Sequence, residues 1–401
     1  MFIDNLLDKM NSVKKISYPD WIPDEAKDIL KTLNVARNNS ALFVGGCVRN
    51  TLLNECKTDI DIATKFKPEE VIKILSNDGV KVVPTGIKYG TVTAVKNKIS
   101  VEITTLRDDI ETDGRHAVVE FSNDWKKDAL RRDFTMNALY MDAEGNVFDP
   151  TEKGLVDCLA RHVRFVGDAE KRIKEDYLRI LRFFRFHAQY GKDEVNKKDI
   201  QICKKNADGI KTLSRERITQ EFLKLIRADR APKVLEIMFH ANILEKIKGK
   251  NYQASFLSNL IHLQNKYHNI VEKDSIVMTR YFILSGGKAI FHDDVLNFSN
   301  AQANFIIKLD AITHKSIFES EKTIKKAMIL HGRAIVFQGY LLLIAQEKIK
   351  QQSSVFDMIT RWDIPDCPIT GEALIKEGYK TSPELGRELE RRKEEWLDTI
   401  L

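Results

Sequence analysis

Hydrophobic and polar residues follow two different patterns along the chain, and the change between them falls near residue 149. Before it, short apolar runs rich in β-branched residues stand between turn signals, which is typical of strands, and two amphipathic runs predict helices. Several strands joined by short turns favour a mixed or mostly antiparallel sheet with helices packed on it. The predicted helices are Pro23 to Leu33 and PEEVIKILSN, which ends near Gly79; the predicted strands are ALFV (Ala41 to Val44), KTDIDIAT, KVVPT, TVTAV and SVEITTL (Ser100 to Leu106), with a hairpin in ALYMDAEGNVFD.

After about Asp149, apolar residues recur at helical spacing almost to the end of the chain, and strand signals nearly vanish. This part is therefore predicted to be all-helical. The longest apolar run, Ala334 to Ala345, is shorter than the roughly 18 residues that span a bilayer, so it predicts a buried helix and no membrane segment. The polar run KIKQQSS (Lys348 to Ser354) predicts a break before the last segment.

Length and composition are those of an ordinary soluble protein with more than one domain. The 401 residues, of which 43% are hydrophobic, predict about two to three domains. The net charge of +6 is compatible with a polyanionic partner, although many basic proteins bind no nucleic acid. The five cysteines form no CxxC motif and indicate a reducing compartment without disulfides or structural zinc, and the N-terminal segment lacks the features of a targeting peptide. The sequence therefore predicts a cytoplasmic protein.

Two aspartates in KTDIDIAT are candidates for chemistry. In a strand, Asp59 and Asp61 would point to one face while Ile60 and Ile62 point to the other, so two carboxylates would stand side by side and repel each other. A divalent cation removes that repulsion, and Mg²⁺ prefers carboxylate oxygens together with phosphate oxygens. Two such ions about 4 Å apart can activate an attacking hydroxyl and neutralise a leaving phosphate. A solvated strand face is the alternative, because the DxD pattern alone is a weak signal.

The surroundings of this pair favour the chemical interpretation. Upstream, Gly45 and Gly46 lead from a predicted strand into a predicted helix; glycines let a phosphate approach the backbone, and N–H groups at a helix start favour anions. Arg49 in this helix can bind a triphosphate through two hydrogen bonds. Glu102, in the predicted strand SVEITTL, is a candidate third carboxylate. An ordinary turn with a surface arginine, and an exposed strand glutamate, are the alternatives.

These residues carry a family resemblance. The segment GGCVRN followed by DID resembles the opening motif of the nucleotidyltransferase superfamily typified by DNA polymerase β, and more closely that of the class II tRNA CCA-adding enzymes and bacterial poly(A) polymerases. One departure is Asn50, where the family usually has Asp. Four further family motifs follow in order: RRDFTMNA (Arg131 to Ala138), DPTEKGLVDCLA (Asp149 to Ala160), EDYLRILRFFRF (Glu175 to Phe186) and RERITQE (Arg215 to Glu221).

The resemblance implies an α+β fold in four parts. A polymerase-β-like nucleotidyltransferase head with a mixed sheet would occupy residues 1–150, and the remainder would be all-helical. A neck that selects the base would span residues 151–225, a body residues 226–350, and a tail that binds tRNA residues 351–401.

The resemblance also implies an activity, the template-independent addition of CCA to the 3′ end of tRNA from CTP and ATP with release of pyrophosphate. Asp59 and Asp61 would hold Mg²⁺, with Glu102 as a third catalytic carboxylate. Arg132 would contact the triphosphate or the sugar, with a salt bridge to Asp133 as the alternative. A poly(A) polymerase of the same family and a catalytically silent RNA-binding protein are the competing functions. The oligomeric state stays open between monomer and homodimer.

The fourth motif carries a regular charge pattern. Asp176, Arg179, Arg182 and Arg185 are three residues apart and form a slowly drifting stripe on one predicted helix. A solvated charged face, or a helix salt bridge between Asp176 and Arg179, is one interpretation. The apolar residues between them predict a largely buried helix, in which a row of arginines needs partners. A nucleotide would supply such partners.

Hydrogen-bond complementarity then predicts which bases are accepted. Asp176 can accept from the exocyclic amine that cytosine and adenine share, and Arg179 can donate to the adjacent ring nitrogen or carbonyl. Uracil and guanine would leave acceptor against acceptor, and two such mismatches give on the order of a hundredfold discrimination. The corresponding residues play this templating role in the family, which the resemblance implies for Asp176 and Arg179. Arg182 and Arg185 would contact phosphates or orient the pair.

Two further segments bear on function. The polar segment TTLRDDIETDGRHAVVEFSNDWKKDAL, with Gly114 as a candidate hinge, is a surface loop on the simple interpretation. In the family an intact loop here accompanies the switch from C to A addition, and this one looks full length, so complete CCA synthesis is expected. The last segment, with Gly371, Gly378 and Gly386 around helical pieces, resembles the family's tail, which reaches the elbow of tRNA. A lone His292-Asp293 pair has no supporting cluster of histidines and predicts no phosphohydrolase site.

Overall fold

The computed structural model describes residues 12–17, 19–55, 59–112, 117–192, 194–248, 254–270, 272–289 and 295–401. The chain folds as two compact units, Met1–Ser214 with Ala241–Ile243 and Arg215–His240 with Leu244–Leu401. Every strand of the described chain lies in the first unit, and the second unit is helical where it is described. The α+β class expected from the sequence is confirmed.

The strands of the first unit form one large sheet and a separate two-stranded hairpin. The described strands are β1 (Lys14–Lys15), β2 (Ala41–Val44), β3 (Ile60–Thr64), β4 (Lys81–Gly86), β5 (Thr91–Lys96), β6 (Ile99–Thr105), β7 (Arg107–Thr112), β8 (Ala117–Phe121), β9 (Tyr140–Met141) and β10 (Asn146–Phe148). The large sheet has the order β1-β10-β9-β2-β3-β6-β5-β4. Only β3 and β6 pair in parallel, and the other described pairs are antiparallel, so the mixed sheet is confirmed.

The strand predicted over KTDIDIAT is shorter than its sequence pattern. It begins at Ile60, so Asp59 lies just before the strand, and Lys57–Thr58 falls outside the described residues. Ile60 and Ile62 are buried, as the alternation predicts. The apolar face of the pattern is therefore the face that packs into the protein.

The helices of the first unit are α1 (Asp24–Ala36), α2 (Gly46–Leu53), α3 (Pro68–Asn77), α4 (Trp125–Leu130), α5 (Gly154–Leu159), α6 (Ala169–Glu175), α7 (Leu178–Gln189) and α8 (Lys197–Lys205). Two of them, α1 and α3, begin and end close to the bounds predicted for Pro23 to Leu33 and for PEEVIKILSN. In α1 the buried residues Ala26, Ile29, Leu30 and Leu33 follow the spacing of an amphipathic helix. Trp125 of α4 shares a core cluster with residues of β2 and β3, so this helix packs against the strands that position the site.

The simple interpretation of the polar segment between the first two motifs as a surface loop is wrong. β7 and β8 form an antiparallel hairpin in which Arg107 is paired with Phe121, and α4 follows. Strand pairing satisfies backbone groups that a loop would leave to water, which favours the hairpin despite its polar composition. Gly114, the candidate hinge, lies outside the described residues.

The single helix predicted for the fourth motif is wrong at its start. α6 ends at Glu175, α7 begins at Leu178, and Asp176 between them has the extended dihedrals φ −155° and ψ 106°. Its carboxylate accepts a hydrogen bond from the Leu178 N–H at 3.0 Å, and this local bond competes with a continuous helix. Asp176 therefore lies at a break, while Arg179 begins the stripe on α7.

The second unit consists of α9 (Arg215–Ile226), α10 (Ala231–His240), α11 (Glu245–Lys248), α12 (Leu257–Lys266), α13 (Lys273–Leu284), α14 (Asn300–Ile312), α15 (Glu321–His331), α16 (Arg333–Ala345), α17 (Ser353–Arg361), α18 (Gly371–Lys376) and α19 (Pro383–Ile400). α16 is buried along most of its length, which confirms the predicted buried helix. No helix covers residues 346–352, so the predicted break is confirmed up to Gln352, whereas Ser353 and Ser354 already lie in α17. Gly386 lies inside α19 and does not bound it. The His292-Asp293 pair lies outside the described residues. None of the described helices is both long and apolar enough to cross a membrane.

Candidate active site

Three carboxylates lie together beside the parallel strands β3 and β6. Asp61 is in register with Glu102, and residues in register on neighbouring strands project from the same side of a sheet. Asp59 immediately precedes β3, two residues before Asp61. Within the described residues, none of the three side chains has a hydrogen-bond or ion-pair partner. The fold thus joins a carboxylate from a distant strand to the aspartate pair.

The electrostatics of Asp61 reflect this crowding. Burial, followed by the charge of Glu102, raises the pKa of Asp61 to about 7, and Asp59 acts in the same direction. The charges of Arg132 and Arg49 act against this rise. A negative charge here carries a free-energy cost that a bound cation would remove.

Mg²⁺ fits this donor set. Carboxylate oxygens are hard ligands of the kind that Mg²⁺ prefers, and these are not occupied by protein cations. No group of three or more His, Cys, Asp or Glu side chains in the described chain is placed to hold a metal ion by itself. That suits an ion that takes one or two carboxylates and completes its shell with water and substrate phosphates. Asp59 and Asp61 are therefore the residues that could hold it.

The glycine turn connects β2 to α2. Gly45 has φ +74°, a left-handed conformation that glycine adopts without strain, and Gly46 is the first residue of α2. A Cβ atom at Gly45 would lie 3.4 Å from Nη1 of Arg132, so glycine lets this guanidinium approach the backbone. No side chain in the described chain caps the start of α2, which leaves its first N–H groups able to bind an anion.

Arg49 is buried, with 5% of its surface exposed, so the alternative of a surface arginine is wrong. Its Nε and Nη2 donate to Oδ1 of Asn50 at 3.0 and 2.8 Å. Its Nη2 also donates to the Tyr190 hydroxyl at 2.8 Å, and its Nη1 donates to Oδ1 of Asn137. Asn50, at the position where the family usually has Asp, is thus a neutral acceptor for this arginine.

Arg132 shares one buried carboxylate, Asp128, with Arg131. Nε and Nη2 of Arg132 donate to Oδ2 of Asp128 at 3.3 and 3.0 Å, and those of Arg131 donate to Oδ1 at 2.9 and 2.6 Å. The Tyr140 hydroxyl donates to the same Oδ2 at 2.7 Å. Burial alone would raise the pKa of Asp128, but the two arginines and this hydrogen bond hold it well below its usual range. The alternative pairing of Arg132 with Asp133 is wrong, because Asp128 lies four residues before Arg132 and reaches it first.

Asp133 pairs instead with Arg182 of α7. Nε and Nη2 of Arg182 donate to Oδ2 of Asp133 at 2.8 and 2.5 Å, and Nδ2 of Asn137 donates to Oδ1 at 3.0 Å. Burial alone would raise the pKa of Asp133, but the charge of Arg182 and these hydrogen bonds hold it well below its usual range. The pair joins the second and fourth motifs directly.

The two residues expected to read the base lie on either side of the start of α7. Arg179, whose side chain is 12% exposed, donates to Oε2 of Glu175 at 2.6 Å and to the carbonyl of Arg172 at 2.8 Å. The alternative salt bridge between Asp176 and Arg179 is wrong, because Glu175 occupies that place. Burial alone would raise the pKa of Glu175, but hydrogen bonds from Arg179 and Arg172 lower it. The guanidinium of Arg179 is thus held in one orientation.

Arg185 lies farther along α7, beside an aromatic ring. Its guanidinium carbon is 4.3 Å from the ring centre of Phe186, and its Nη1 donates to Oε1 of Gln189 at 3.0 Å. Arg182 lies 5.7 Å from the same ring centre. Two arginines of the stripe therefore flank Phe186.

Several residues around the site were not among the candidates found from the sequence. Asp128 and Tyr190 carried a signal, since each lies four residues from a motif residue, Arg132 and Phe186 respectively, which is the spacing of contacts across one helical turn. Asn137 stands in the second motif, RRDFTMNA, but its contact with Arg49 spans 88 positions of sequence and could not be predicted from that motif. Such contacts exist only once the chain has folded.

A cavity of about 560 Å³ lies elsewhere in the first unit. Lys126 of α4, Arg164, Asp168 and Lys198 of α8 are among its lining residues. None of the predicted site residues lines it, so this cavity is separate from the carboxylates and the glycine turn.

The sequence is similar to known nucleotidyltransferases over most of its length. Residues 41–164 match the family described as Poly A polymerase head domain, and residues 195–249 match the one described as probable RNA and SrmB-binding site of polymerase A. The mitochondrial CCA tRNA nucleotidyltransferase 1 of Danio rerio is 32% identical over 362 residues, which cover 88% of this chain and 82% of that protein. The CCA-adding enzyme of Streptococcus pyogenes is 31% identical over 369 residues, covering 88% and 87%.

Solved structures share the fold. The CCA-adding enzyme of Bacillus stearothermophilus in complex with CTP aligns with a TM-score of 0.63 at 23% identity, covering 94% of this chain and 93% of that one. The Thermotoga maritima CCA-adding enzyme complexed with tRNA aligns with a TM-score of 0.60 at 17% identity, covering 97% and 94%. The motifs, the fold and the identity across most of both chains agree, and this chain therefore belongs to the CCA tRNA nucleotidyltransferase family, whose members are tRNA-processing transferases.

Proposed function

We propose that this protein completes the 3′ end of tRNA by adding CCA from CTP and ATP, without a nucleic-acid template and with release of pyrophosphate. The observation that carries the proposal is the group of partnerless carboxylates Asp59, Asp61 and Glu102 in a chain of this family. Relatives of the same fold are known in complex with CTP and with tRNA, which supports both kinds of partner.

The glycine turn and Arg132 would receive the triphosphate. The first N–H groups of α2 favour an anion, and Gly45 leaves room for the phosphates next to the guanidinium of Arg132. Asp128 and Tyr140 hold that guanidinium in place, so Arg132 needs little reorganisation when the nucleotide arrives.

Asp59 and Asp61 would hold Mg²⁺ beside the triphosphate. When bound, two such ions supply activation of the tRNA 3′-hydroxyl and neutralisation of the leaving pyrophosphate. The chain itself would present carboxylate oxygens from Asp61 on β3 and from Asp59 just before it, with Glu102 in register on β6 as the third carboxylate. Arg49 and Arg132 favour the ionised form of Asp61 by their charge.

Asp176 and Arg179 would select the base by the hydrogen bonds that cytosine and adenine share. Asp176 lies at the break between α6 and α7, and Glu175 with the Arg172 carbonyl orients Arg179. Pre-oriented donors discriminate better than mobile ones because less side-chain entropy is lost on binding. Arg182 and Arg185, held by Asp133 and Gln189, would support the pair or contact phosphates.

One assay separates the proposed function from its alternatives. Purified protein, tRNA lacking its 3′ end and Mg²⁺ are incubated with CTP and ATP, separately and together. Ordered addition of two C and one A is the expected result. A long A tail would identify a poly(A) polymerase of the same family, and no product would identify a silent RNA-binding protein.

Base selection is tested with Arg179→Gln. Misincorporation of UTP and GTP relative to CTP and ATP should rise by about tenfold, because one of the two discriminating contacts is lost. Arg37→Gln, which replaces an exposed arginine at the C-terminal cap of α1, is the matched control. If Arg179→Gln still rejects UTP and GTP like the unmodified enzyme, the templating role is wrong.

The head, neck, body and tail would span residues 1–150, 151–225, 226–350 and 351–401. The cytoplasmic location stays a prediction, since the relative from Danio rerio is named as mitochondrial while that from Streptococcus pyogenes is not. The choice between monomer and homodimer also stays open.

A further inference from the structure

Arg49 is a buried cation whose side-chain hydrogen-bond acceptors are all neutral groups. No carboxylate of the described chain lies within ion-pair distance of it, and its acceptors are Oδ1 of Asn50, Oδ1 of Asn137 and the hydroxyl of Tyr190. A buried guanidinium without an ion pair is costly unless hydrogen bonds and polarisable groups replace its water. The residues that surround Arg49 therefore determine where its charge sits.

Two aromatic rings also contact the guanidinium of Arg49. The guanidinium carbon of Arg49 is 4.1 Å from the ring centre of Tyr190 and 5.3 Å from that of Phe186. The two rings are themselves 5.4 Å apart, centre to centre. Arg49 is thus fixed by Tyr190 in two ways, through a hydroxyl that accepts a hydrogen bond and through the face of the ring.

The same contacts close a ring of side chains. Asn137 accepts from Arg49 and donates to Asp133 at 3.0 Å, and Asp133 accepts from Arg182 at 2.5 and 2.8 Å. Arg182 and Tyr190 lie eight residues apart, two turns along one face of α7 and its C-terminal cap. α7 is therefore fastened to Arg49 directly through Tyr190, and indirectly through Arg182, Asp133 and Asn137.

We infer that Tyr190 and Asn137 are positioning residues, which hold Arg49 and set the register of α7 against the glycine turn. Arg179 lies in the first turn of α7, and Arg49 follows Gly45 and Gly46 by a few residues. This closed set of side-chain contacts would thus connect the part of the site that reads the base with the part that receives the triphosphate. This role rests on the proposed function, because it gives Tyr190 a part in nucleotide choice.

The inference predicts an effect on nucleotide choice and turnover. Tyr190→Phe keeps the ring and removes one hydrogen bond, so kcat should fall by roughly two- to tenfold. Tyr190→Leu removes both contacts and should lower kcat and the preference for C and A over U and G by on the order of tenfold or more, since small misplacements of reacting groups are costly. KM for tRNA should stay unchanged in both variants. Tyr267→Phe, which removes a hydroxyl that accepts from Gln351 on the second unit, is the matched control.

Hydrogen exchange gives a readout that does not depend on activity. Tyr190→Leu should speed exchange of the α2 amides over Gly46–Leu53, besides those at the end of α7, because the two elements share Arg49. Faster exchange in α2 together with loosened nucleotide choice supports the inference. Exchange confined to α7, with nucleotide choice unchanged, overturns it. If the unmodified protein adds no nucleotide, the proposed function fails, and exchange in α2 alone decides the positioning role.

Discussion

Two groups of carboxylates in the first unit have opposite electrostatic surroundings. Asp128 and Asp133 are buried and accept hydrogen bonds from arginines, which hold their pKa values well below the usual range against the effect of burial. Asp61, beside Glu102 and Asp59, has no such partner in the described chain, and burial with neighbouring charge raises its pKa to about 7. The pKa of an aspartate is thus shifted in opposite directions at two places in the same unit.

The difference distinguishes carboxylates that stabilise the fold from carboxylates that are candidates for catalysis. A buried carboxylate whose oxygens are satisfied orients its arginines, whereas an unsatisfied one lowers the stability of the folded state and is a candidate for binding a cation. Arg132 links the two groups, since Asp128 holds it while its charge acts on Asp61. The paired carboxylate Asp128 therefore holds in place an arginine whose charge acts on the unpaired Asp61.

The largest effect is expected from Asp61→Asn. Nucleotide incorporation should fall by at least about a hundredfold, because a preorganised charge at the reacting phosphates is lost. The thermal midpoint should stay the same or rise, since one repelling charge is removed. Glu69→Gln, at an exposed acid in the first turn of α3, is the control for charge alone. Near-normal turnover of Asp61→Asn would remove this residue from the mechanism.

A second effect is expected from Mg²⁺ itself. A cation that binds the folded state stabilises it by ~2.7 kcal/mol when its concentration is about a hundred times its dissociation constant. Adding Mg²⁺ should therefore raise the thermal midpoint of the unmodified protein but not that of a variant combining Asp59→Asn and Asp61→Asn. Calorimetry with and without Mg²⁺ measures this, and an equal rise in both proteins would place the ion elsewhere.

A smaller effect on folding is expected from Asp133→Asn. Removal of the charge from the hydrogen bonds with Arg182 should lower the free energy of unfolding by about 2 kcal/mol. The side chain of Arg182 is 31% exposed, so water replaces part of the lost interaction. Urea unfolding followed by circular dichroism measures the change. An unchanged free energy of unfolding would mean that this pair is not the stabilising member of the comparison.

The smallest effect is expected on the stability of the protein in acid. Asp128 and Asp133 have pKa values lowered by folding, so they contribute stability at pH values above the unfolded pKa of about 3.9, and this contribution is lost as pH falls through the folded pKa. Stability should therefore fall below about pH 4, and less steeply in Asp133→Asn than in the unmodified protein. Thermal midpoints between pH 3 and pH 7 test this, and parallel curves for the two proteins would contradict it.

The motifs and the periodicity of the sequence carried much of the architecture. ALFV and SVEITTL alternate or run apolar in the way that strands do, and β2 and β6 lie at those segments. The polar stretch before the second motif misled, because hairpin pairing of β7 with β8 depends on backbone hydrogen bonds that composition does not reveal. Asp176 misled for a related reason, since its side chain competes with the helical backbone.

By itself, then, the sequence determined the fold class, the order of the motifs and the residue types available for chemistry, because these depend on local periodicity and spacing. Only the tertiary structure decided which charges meet. Glu102 stands beside Asp61 because β3 and β6 pair in parallel, and Arg49 contacts Tyr190 across 141 positions of sequence. Electrostatic interactions depend on distance in space and on burial, and neither can be known before the chain is folded.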